Sequence, residues 1–300
     1  MTETILKLNK ISKVYIIGTR KNAAKAQKAI QKLHKLYEDQ CEKGDKASRK
    51  KTELLLTKAQ DLFSKEKYEE SYKLVTNKTL SPRPKDRGAV VHALDSVNLE
   101  IYKGDLVAIM GPSGSGKSTL LNMLGLLDSP TAGSIYLGKL NVTGIKNKKL
   151  PEIRSNDLGF VFQSFNLIPS LTSLENVMLP LKYAGKPPQA RKEMAIKALE
   201  AVGLGDRLNH TPNELSGGQG QRVAIARSIV NNPAIIFGDE LTGELDTKMT
   251  KEIMELIQKL NIKGQTFIIV THNPEVAKMC KRTIYMLDGK IDLDRNNGKE

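Results

Sequence analysis

Short apolar runs alternate with helix-like segments along most of the chain, in the order typical of an α/β domain. Three of the runs, 106–110, 234–238 and 266–270, are continuously apolar, as are strands buried on both faces of a parallel sheet. The other candidate strands are 133–138 and 158–162, and the candidate helices are 118–124, 173–204 and 249–260. We therefore predict a mainly parallel sheet whose strands are connected by helical crossovers.

The amino-terminal segment has the pattern of one half of a β-hairpin whose other half comes much later. Apolar and polar residues alternate over 5–17, which predicts an edge strand or a hairpin arm. The partner arm appears only at 90–94 and 97–101. We therefore predict one domain formed by 1–18 and 89–300, with an insertion at 19–88 between its first two strands.

The insertion has a helical pattern of its own. Apolar residues recur at helical spacing in two stretches, and a third short helix is indicated further along. These positions are Ala26, Ala29, Ile30, Leu33, Leu36 and Tyr37, then Leu55, Ala59, Leu62 and Phe63, then Tyr68, Tyr72 and Val75. Gly44-Asp45 separates the first two stretches, and two prolines, Pro82 and Pro84, end the pattern. We predict a small bundle of two or three helices.

Positive charge is concentrated in this insertion. The whole chain has a formal charge of +14, and residues 19–88 contain 19 Lys/Arg against 10 Asp/Glu. Three interpretations remain open at this point: solvated helix faces, a basic contact to anionic lipid or an accessory protein or partner subunit, and a contact to nucleic acid, the least favoured of the three.

Composition excludes several classes of protein. The two cysteines, Cys41 and Cys280, form no CxxC pair, so neither a disulfide framework nor a zinc site is expected. No apolar run approaches the roughly 20 residues of a membrane helix, and the first residues lack the pattern of a signal peptide. We expect a cytoplasmic chain, with any membrane crossing left to another subunit.

A phosphate-binding loop follows the first apolar strand. Residues 111–118, GPSGSGKS, match GxxxxGK[ST] at every fixed position, between a candidate strand and a candidate helix. Glycines let successive backbone N–H groups turn toward phosphate oxygens, and the helix amino terminus favours negative charge. The predicted triphosphate site comprises Gly111, Pro112, Ser113, Gly114, Ser115, Gly116, Lys117, Ser118 and Thr119. In it, Lys117 would contact the β- and γ-phosphates and Ser118 would ligate Mg²⁺.

Two adjacent carboxylates end the next buried strand. Side chains alternate across a strand, so Asp239 and Glu240 point different ways. Asp239 is suited to bind Mg²⁺ through a water, and Glu240 to polarise a water that attacks the γ-phosphate. An acidic cap at a strand end is the alternative, which the phosphate loop makes less favourable.

A second anion site is indicated at 215–219, LSGGQ, which opens another candidate helix. The Ser216 side chain and the Gly217 and Gly218 amides would lie at a helix amino terminus, where anions bind. Two anion sites for one triphosphate need an explanation.

Together with Gln163 after a strand and Thr271-His272 after another, these elements resemble the ATP-binding cassette (ABC) ATPases and occur in that family's order. The resemblance implies an α/β fold, the ABC type of P-loop NTPase: a mainly parallel core, an antiparallel β subdomain and an α-helical subdomain with the signature LSGGQ. The small helical module would be an addition. It also implies a head-to-tail dimer, in which Ser216, Gly217, Gly218 and Gln219 of one copy contact the ATP held by the other.

The resemblance implies roles for three further residues. Tyr15 matches the aromatic that stacks on adenine, although the insertion begins a few residues later and could disturb it. Gln163 matches the residue that senses Mg²⁺ and the attacking water, and His272 the one that holds the γ-phosphate. Without the resemblance, Tyr15 would be an ordinary strand aromatic and His272 an ordinary histidine at a strand end.

Three positions depart from the family pattern. Leu241 replaces the usual proline after Asp-Glu, Gly220 replaces a common glutamine, and Glu244 replaces a small residue in a loop that faces its twin across the dimer. None removes a catalytic group, so hydrolysis is still predicted.

The segment after Gln163, FNLIPSLTSLENVMLPL, resembles the lipoprotein-release, macrolide-efflux and cell-division branch of the family. That branch pairs with permeases that have few membrane helices and a large extracytoplasmic domain. Exposed apolar residues such as Phe165, Leu167 and Ile168 would fit a permease's coupling helix, or would simply pack the helical subdomain.

The resulting functional prediction is an ATP-hydrolysing subunit that dimerises with a second copy of itself and drives a separate integral membrane permease. It would use ATP and Mg²⁺ and lie on the inner face of the cell membrane. The alternative is a soluble ABC ATPase that acts on nucleic acid or ribosomes through the basic insertion. A single cassette, with a short insertion placed before the phosphate loop, makes that alternative less favourable.

Overall fold

The computed structural model describes residues 3–18, 25–33, 36, 46–64, 71, 74, 88–143, 145 and 148–298. The strands are β1 (Thr4–Gly18), β2 (Gly88–Tyr102), β3 (Leu106–Met110), β4 (Ala132–Leu137), β5 (Leu140–Asn141), β6 (Leu158–Phe162), β7 (Ile235–Asp239), β8 (Phe267–Val270), β9 (Arg282–Leu287) and β10 (Lys290–Asn296). The helices are α1 (25–33), α2 (Lys46–Ser64), α3 (Lys117–Leu124), α4 (Leu150–Asp157), α5 (Ser173–Tyr183), α6 (Pro188–Ala201), α7 (Gly217–Ile229), α8 (Thr247–Ile262) and α9 (Pro274–Lys278).

A six-stranded sheet forms the centre, in the order β10-β9-β3-β8-β7-β6. All neighbouring pairs are parallel except β10 with β9. The apolar strands β3, β7 and β8 lie in its middle and are buried on both faces, as their continuous apolar sequence requires. The predicted parallel core is therefore confirmed.

A second, antiparallel sheet has the order β2-β1-β4-β5. β1 pairs with β2 along its whole length, and Leu6 to Asn9 also pair with β4. The expectation that 5–17 forms an edge strand was wrong in this respect, because β4 occupies the other side of β1. β2 and β5 are the edges, and the hairpin interpretation of β1 and β2 agrees with the pairing.

Helices α5, α6 and α7 form a layer that packs together around Val177, Leu181, Leu199 and Val223. The single helical region expected over 173–204 is divided, because Gly185 adopts a positive φ of 72° and Pro187 precedes the first turn of α6. α5 begins with a capping box made by Thr172 and Glu175.

The insertion leaves the fold at the far end of the β1–β2 hairpin, where Gly18 pairs with Gly88. α1 and α2 pack against each other and bury Val14 of β1 in a small apolar cluster with Ile30, Leu56 and Ala59. α2 also contacts β4. The predicted third helix falls largely outside the described residues, as does Cys41, and the boundaries 19–88 remain a prediction. None of the described helices is long and apolar enough to cross a membrane.

Candidate functional site

Four neighbouring strands end at one edge of the central sheet and bring the predicted chemistry together. Ile109 of β3 pairs with Val270 of β8, Val270 pairs with Asp239 of β7, and Asp239 pairs with Phe162 of β6. Each strand is followed at once by a predicted site segment. The phosphate loop, Thr271-His272, Glu240 and Gln163 therefore lie along the carboxyl edge, where ligands of open α/β sheets bind.

The phosphate loop is held tightly against the rest of the fold. Gly111 and Gly116 have positive φ angles of 145° and 97°, and a Cβ at either would collide with a backbone carbonyl oxygen, of Met286 or Ala93 respectively. Gly116 is the N-cap of α3 and supplies no side-chain cap. The first backbone amides of α3 therefore have no side-chain cap and are free to bind an anion.

Two side chains of the loop are suited to a phosphate. The Lys117 Nζ donates to the carbonyl oxygens of Gly111 and Pro112 at 2.9 and 2.8 Å, which keeps the ammonium over the loop. The buried Ser115 Oγ has no hydrogen-bond partner. Lys117 thus adds a positive charge beside the free amides, and Ser115 adds an unused polar atom.

Glu240 and His272 form a pair at the ends of β7 and β8. The Glu240 Oε1 lies 3.0 Å from the His272 Nδ1. Glu240 adopts φ 46°, in the left-handed region that non-glycine residues rarely occupy, and its amide donates to the Val270 carbonyl at 2.9 Å. This backbone conformation and the bond to β8 hold the carboxylate beside the imidazole.

Asp239 is half-buried beside this pair. Burial, and then the neighbouring Glu240 carboxylate, raise the pKa of Asp239, while Lys117 opposes that shift. A divalent cation would relieve both unfavourable contributions to the charged form.

A Mg²⁺ ion fits the oxygen donors at this edge, the Ser118 hydroxyl, the Gln163 side-chain carbonyl and the Asp239 carboxylate, because it prefers hard oxygen ligands. The exposed Gln163 side chain lies over Gly243, where a Cβ would come within 3.0 Å of its Nε2. In the part of the chain that the structure describes, no group of three or more His, Cys, Asp or Glu could hold a metal. The protein would therefore share the ion with the phosphates.

The signature segment is well formed at the amino terminus of α7. Ser216 is the N-cap of α7, and its side chain forms a capping box with Gln219. Gly217 lies close to Leu245, and Gly218 close to Met249. Among the described residues, no hydrogen bond or ion pair joins 216–219 to the phosphate loop.

Tyr15 lies on β1 with 37% of its surface exposed. Its hydroxyl bonds Asp128 at 3.2 Å, and Lys13 bonds the same carboxylate at 2.7 Å with its Nζ 5.0 Å from the Tyr15 ring centroid. Sequence reasoning missed Lys13 and Asp128, since neither lies in a recognisable motif.

Arg227 is a third residue that the motifs did not indicate. From α7 its guanidinium donates to the carbonyl oxygens of Phe165 and Asn166 at 2.8 and 2.6 Å. Burial lowers the pKa of Arg227. The signature helix therefore holds the segment that follows Gln163.

The departures from the family pattern have local explanations in two cases. Gly220 faces the Phe165 ring, since a Cβ there would lie 3.2 Å from the ring, and Leu241 is buried over Gly238 of β7. Glu244 is exposed.

Phe165 and Leu167 are partly buried against the helical layer, so of the three residues expected to be exposed only Ile168 is. Gly220 explains this correction for Phe165, because its bare Cα leaves room for the ring.

A groove of about 970 Å³ lies between α4 and α5, next to Arg227. Its walls are mainly apolar side chains and include Leu127, Pro151, Phe160, Leu179 and Tyr183. A groove of this form fits an amphipathic helix or a turn from another protein.

Comparisons with known proteins agree with these features. The family described as ABC transporter matches residues 94–243. The lipoprotein-releasing system ATP-binding protein LolD of Bacteroides thetaiotaomicron is 46% identical over 205 residues, which are 68% of this chain and 94% of that protein. The macrolide export ATP-binding/permease protein MacB of Marinobacter nauticus is 47% identical over 204 residues, 68% of this chain but 32% of that longer protein.

A solved structure is similar throughout the cassette. It is the dimeric post-hydrolysis state of the ATP-binding cassette MJ0796 of Methanocaldococcus jannaschii, bound to ADP and Pi. The sequences are 44% identical, the TM-score is 0.64, and the match covers 74% of this chain and 97% of that one.

Proposed function

Because this chain belongs to the ABC transporter family, in the branch of the lipoprotein-releasing and macrolide-export proteins, it is an ATP-hydrolysing subunit, and we propose how its residues perform that activity. Two copies bind two MgATP between them, close, hydrolyse the ATP and reopen, and so drive a separate permease. The observation that carries this proposal is the convergence of the phosphate loop, Gln163, Glu240 and His272 on four adjacent strand ends.

ATP is held by the phosphate loop and by Tyr15. The free backbone amides of the phosphate loop and of the first turn of α3 surround the β- and γ-phosphates, and the Lys117 Nζ exchanges its two carbonyl partners for phosphate oxygens. The adenine stacks on the exposed face of the Tyr15 ring. A bound Mg²⁺ would supply charge neutralisation at the phosphates. The ligands we propose for it are Ser118 and Gln163, with Asp239 acting through a water.

Hydrolysis uses the Glu240–His272 pair. Glu240 accepts a proton from the attacking water, and Gln163 orients that water. His272 contacts the γ-phosphate through its second ring nitrogen while Nδ1 stays within 3.0 Å of Glu240. The chemistry is phosphoryl transfer to water, in which positioning and charge stabilisation supply most of the acceleration.

The second copy completes each site. The amino terminus of α7 is exposed at Ser216 and Gly217. Its capping box uses the Ser216 and Gln219 amides and leaves those of Gly217 and Gly218 available. In a head-to-tail dimer, Ser216 to Gln219 of one copy contact the γ-phosphate on the other, so ATP bridges the two chains. The dimeric form of MJ0796 supports this arrangement.

The permease docks in the groove between α4 and α5. The apolar lining of the groove suits a short cytosolic helix of a membrane subunit. We propose a permease of the macrolide-efflux and cell-division type, which places the cassette on the inner face of the cell membrane. The named relatives serve lipoprotein release and macrolide export, which favours transport over an action on nucleic acid.

A complementation experiment tests the head-to-tail site. The Lys117→Ala variant damages only the phosphate loop, and the Ser216→Arg variant damages only the signature. Each alone should hydrolyse almost no ATP. An equal mixture should recover about a quarter of the wild-type rate, because half of the dimers are mixed and each has one undamaged site.

Absence of recovery, with mixed dimers demonstrated by differently tagged copies, would show that loop and signature act within one chain. A mixture of Lys117→Ala with a second phosphate-loop variant, Ser118→Ala, is the matched control. It should recover nothing, since both sites of every mixed dimer have a damaged loop.

A further inference from the structure

The positive charge of the insertion lies mainly on its two described helices. The segments 25–33 and 46–64 contain eight Lys/Arg and two Asp/Glu, whereas the rest of 19–88 contains eleven and eight. A solvated surface normally carries both signs together. The excess on α1 and α2 is therefore a feature of these two helices.

On α1 the exposed charge has one sign and lies on one side. Ala26, Ala29, Ile30 and Leu33 are buried against α2 and β1. Lys25, Lys28 and Lys32 are exposed at spacings of three and four residues, and Leu36 continues this stripe with 48% of its surface exposed. No acidic residue occurs in 25–33.

α2 also has an exposed stripe of lysine and leucine, with the exposed acidic residues Glu53 and Asp61 beside it. Leu54 is 58% exposed and lies one turn from Lys50 and Lys58, which are also exposed. Thus an exposed leucine accompanies lysines on both helices. The apolar sides of the helices are already used to pack the insertion onto Val14.

We propose that these two stripes, Lys25, Lys28, Lys32 and Leu36 with Lys50, Leu54 and Lys58, bind the anionic surface of a lipid bilayer. Protein interfaces are depleted in lysine and enriched in aromatic residues and arginine, and single-stranded nucleic acid is bound by stacking on aromatic side chains. The described insertion helices contain a single aromatic residue, Phe63, and a single arginine, Arg49. Lysines with a few exposed leucines suit lipid headgroups.

The position of the insertion also supports a lipid bilayer as the partner. This support rests on the permease docking proposed above. Leu127 lines the groove between α4 and α5, and five residues later β4 begins, on which α2 packs. Between them, Asp128 bonds Lys13, and the Thr131 Oγ1 accepts from the Val14 amide at 3.1 Å. A stretch of six residues spans at most about 20 Å. The insertion therefore begins close to the groove that would hold the membrane subunit.

Sedimentation with lipid vesicles tests the proposal. The full chain is mixed with vesicles of phosphatidylcholine alone or with 30% phosphatidylglycerol, at roughly 0.1 M NaCl, where charges about 10 Å apart still interact. We expect binding to the anionic vesicles only, and its loss at about 1 M NaCl. Replacing Lys25, Lys28 and Lys32 by glutamine should weaken binding about a hundredfold, since each lysine near an anionic surface contributes about fivefold.

The matched control replaces the exposed Lys192, Lys197 and Lys259 by glutamine and should bind vesicles like the wild type. Leu54→Ala should weaken vesicle binding and leave the affinity for a 20-base-pair DNA unchanged. Equal loss in both triple variants, equal binding to neutral vesicles, or binding to the DNA without binding to anionic vesicles would overturn the proposal. ATP hydrolysis by the same variants is measured in parallel. Normal hydrolysis without lipid binding would refute this inference alone, whereas loss of hydrolysis in the unmodified chain would refute the proposed function.

Discussion

At the scale of single residues, Glu240 combines an unusual backbone conformation with a functional contact. Its φ of 46° is uncommon for a side chain of this size, and strained residues of this kind cluster at active sites. As a result, the Glu240 carboxylate points toward His272 and does not follow the side-chain alternation of β7. We expect this residue to be the base.

Replacing Glu240 with glutamine should reduce ATP turnover by at least about a hundredfold, because an amide cannot accept the proton of the attacking water. ATP should still bind, so the dimer should accumulate in the closed form and elute as a dimer in ATP and as a monomer without it. Steady-state ATPase assays and size-exclusion chromatography check both results.

Glu255→Gln is the control for this variant, because Glu255 is an exposed glutamate of α8 away from the sheet edge. It should retain normal turnover. Unchanged hydrolysis in Glu240→Gln would mean that another group accepts the proton.

The residues that could be predicted from sequence are those whose chemistry lies within a few consecutive positions. The phosphate loop and the signature are each at most eight consecutive residues long, so their residue types alone indicate an anion site. Lys13, Asp128 and Arg227 could not be found in this way. Their contacts join residues 113 positions apart, from Tyr15 to Asp128, and 62 positions apart, from Arg227 to Phe165.

At the scale of secondary-structure elements, α7 is the part that connects two sites. Its amino terminus carries the signature, and farther along it Arg227 holds the segment after Gln163 through two carbonyl oxygens. A movement of α7 therefore displaces the segment that carries Gln163. In the proposed mechanism, Arg227 is thus a positioning residue that acts through Gln163.

Arg227→Met should lower kcat for ATP hydrolysis about ten- to hundredfold while KM for ATP changes little, because small misplacements of a positioning group cost rate rather than binding. Arg222→Met is the matched control, since Arg222 lies on the same helix and donates at 3.0 Å to the Val202 carbonyl, away from Gln163. Both variants should lose about 1–3 kcal/mol of stability with their hydrogen bonds.

Denaturation midpoints and ATPase kinetics separate these two effects. Equal losses of kcat in both arginine variants would show that Arg227 has a structural role only. Arg227→Lys should recover part of kcat, since an ammonium can reach one of the two carbonyl oxygens.

Elements with continuous apolar sequence were predicted most closely, and two elements without an apolar pattern were missed. β3, β7 and β8 lie within one residue of their predicted bounds, since burial on both faces demands apolar residues throughout. α4 has no buried residue, and β10 is almost wholly exposed, so neither has an amphipathic pattern to detect. The pairing of β4 with β1 is set by long-range contacts, which explains why β1 was expected at an edge.

At the scale of the whole molecule, the insertion and the cassette meet over a small area of β1 and β4. The residues proposed for catalysis follow β3, β6, β7 and β8 in the other sheet. Among the described residues that pack against α1 and α2, Val14 lies beside a site residue, Tyr15, whose hydroxyl bonds Asp128. The structure therefore favours an insertion that is dispensable for hydrolysis.

Replacing residues 18–88 by Asn-Gly should leave an ATPase with a rate within about twofold of wild type, because distant sites couple weakly. Ile17 pairs with Ala89, and Asn-Gly forms the two-residue turn that such a hairpin needs. Val14→Thr is included to make the uncovered face of β1 polar. In the intact chain, Val14→Thr alone should lower the free energy of unfolding by about 1–3 kcal/mol, because it buries a hydroxyl. This single variant measures how much of any effect in the deletion variant comes from the threonine. A folded deletion variant that binds ATP but does not hydrolyse it would instead make α1 and α2 part of the catalytic unit, with Val14 as the link to Tyr15.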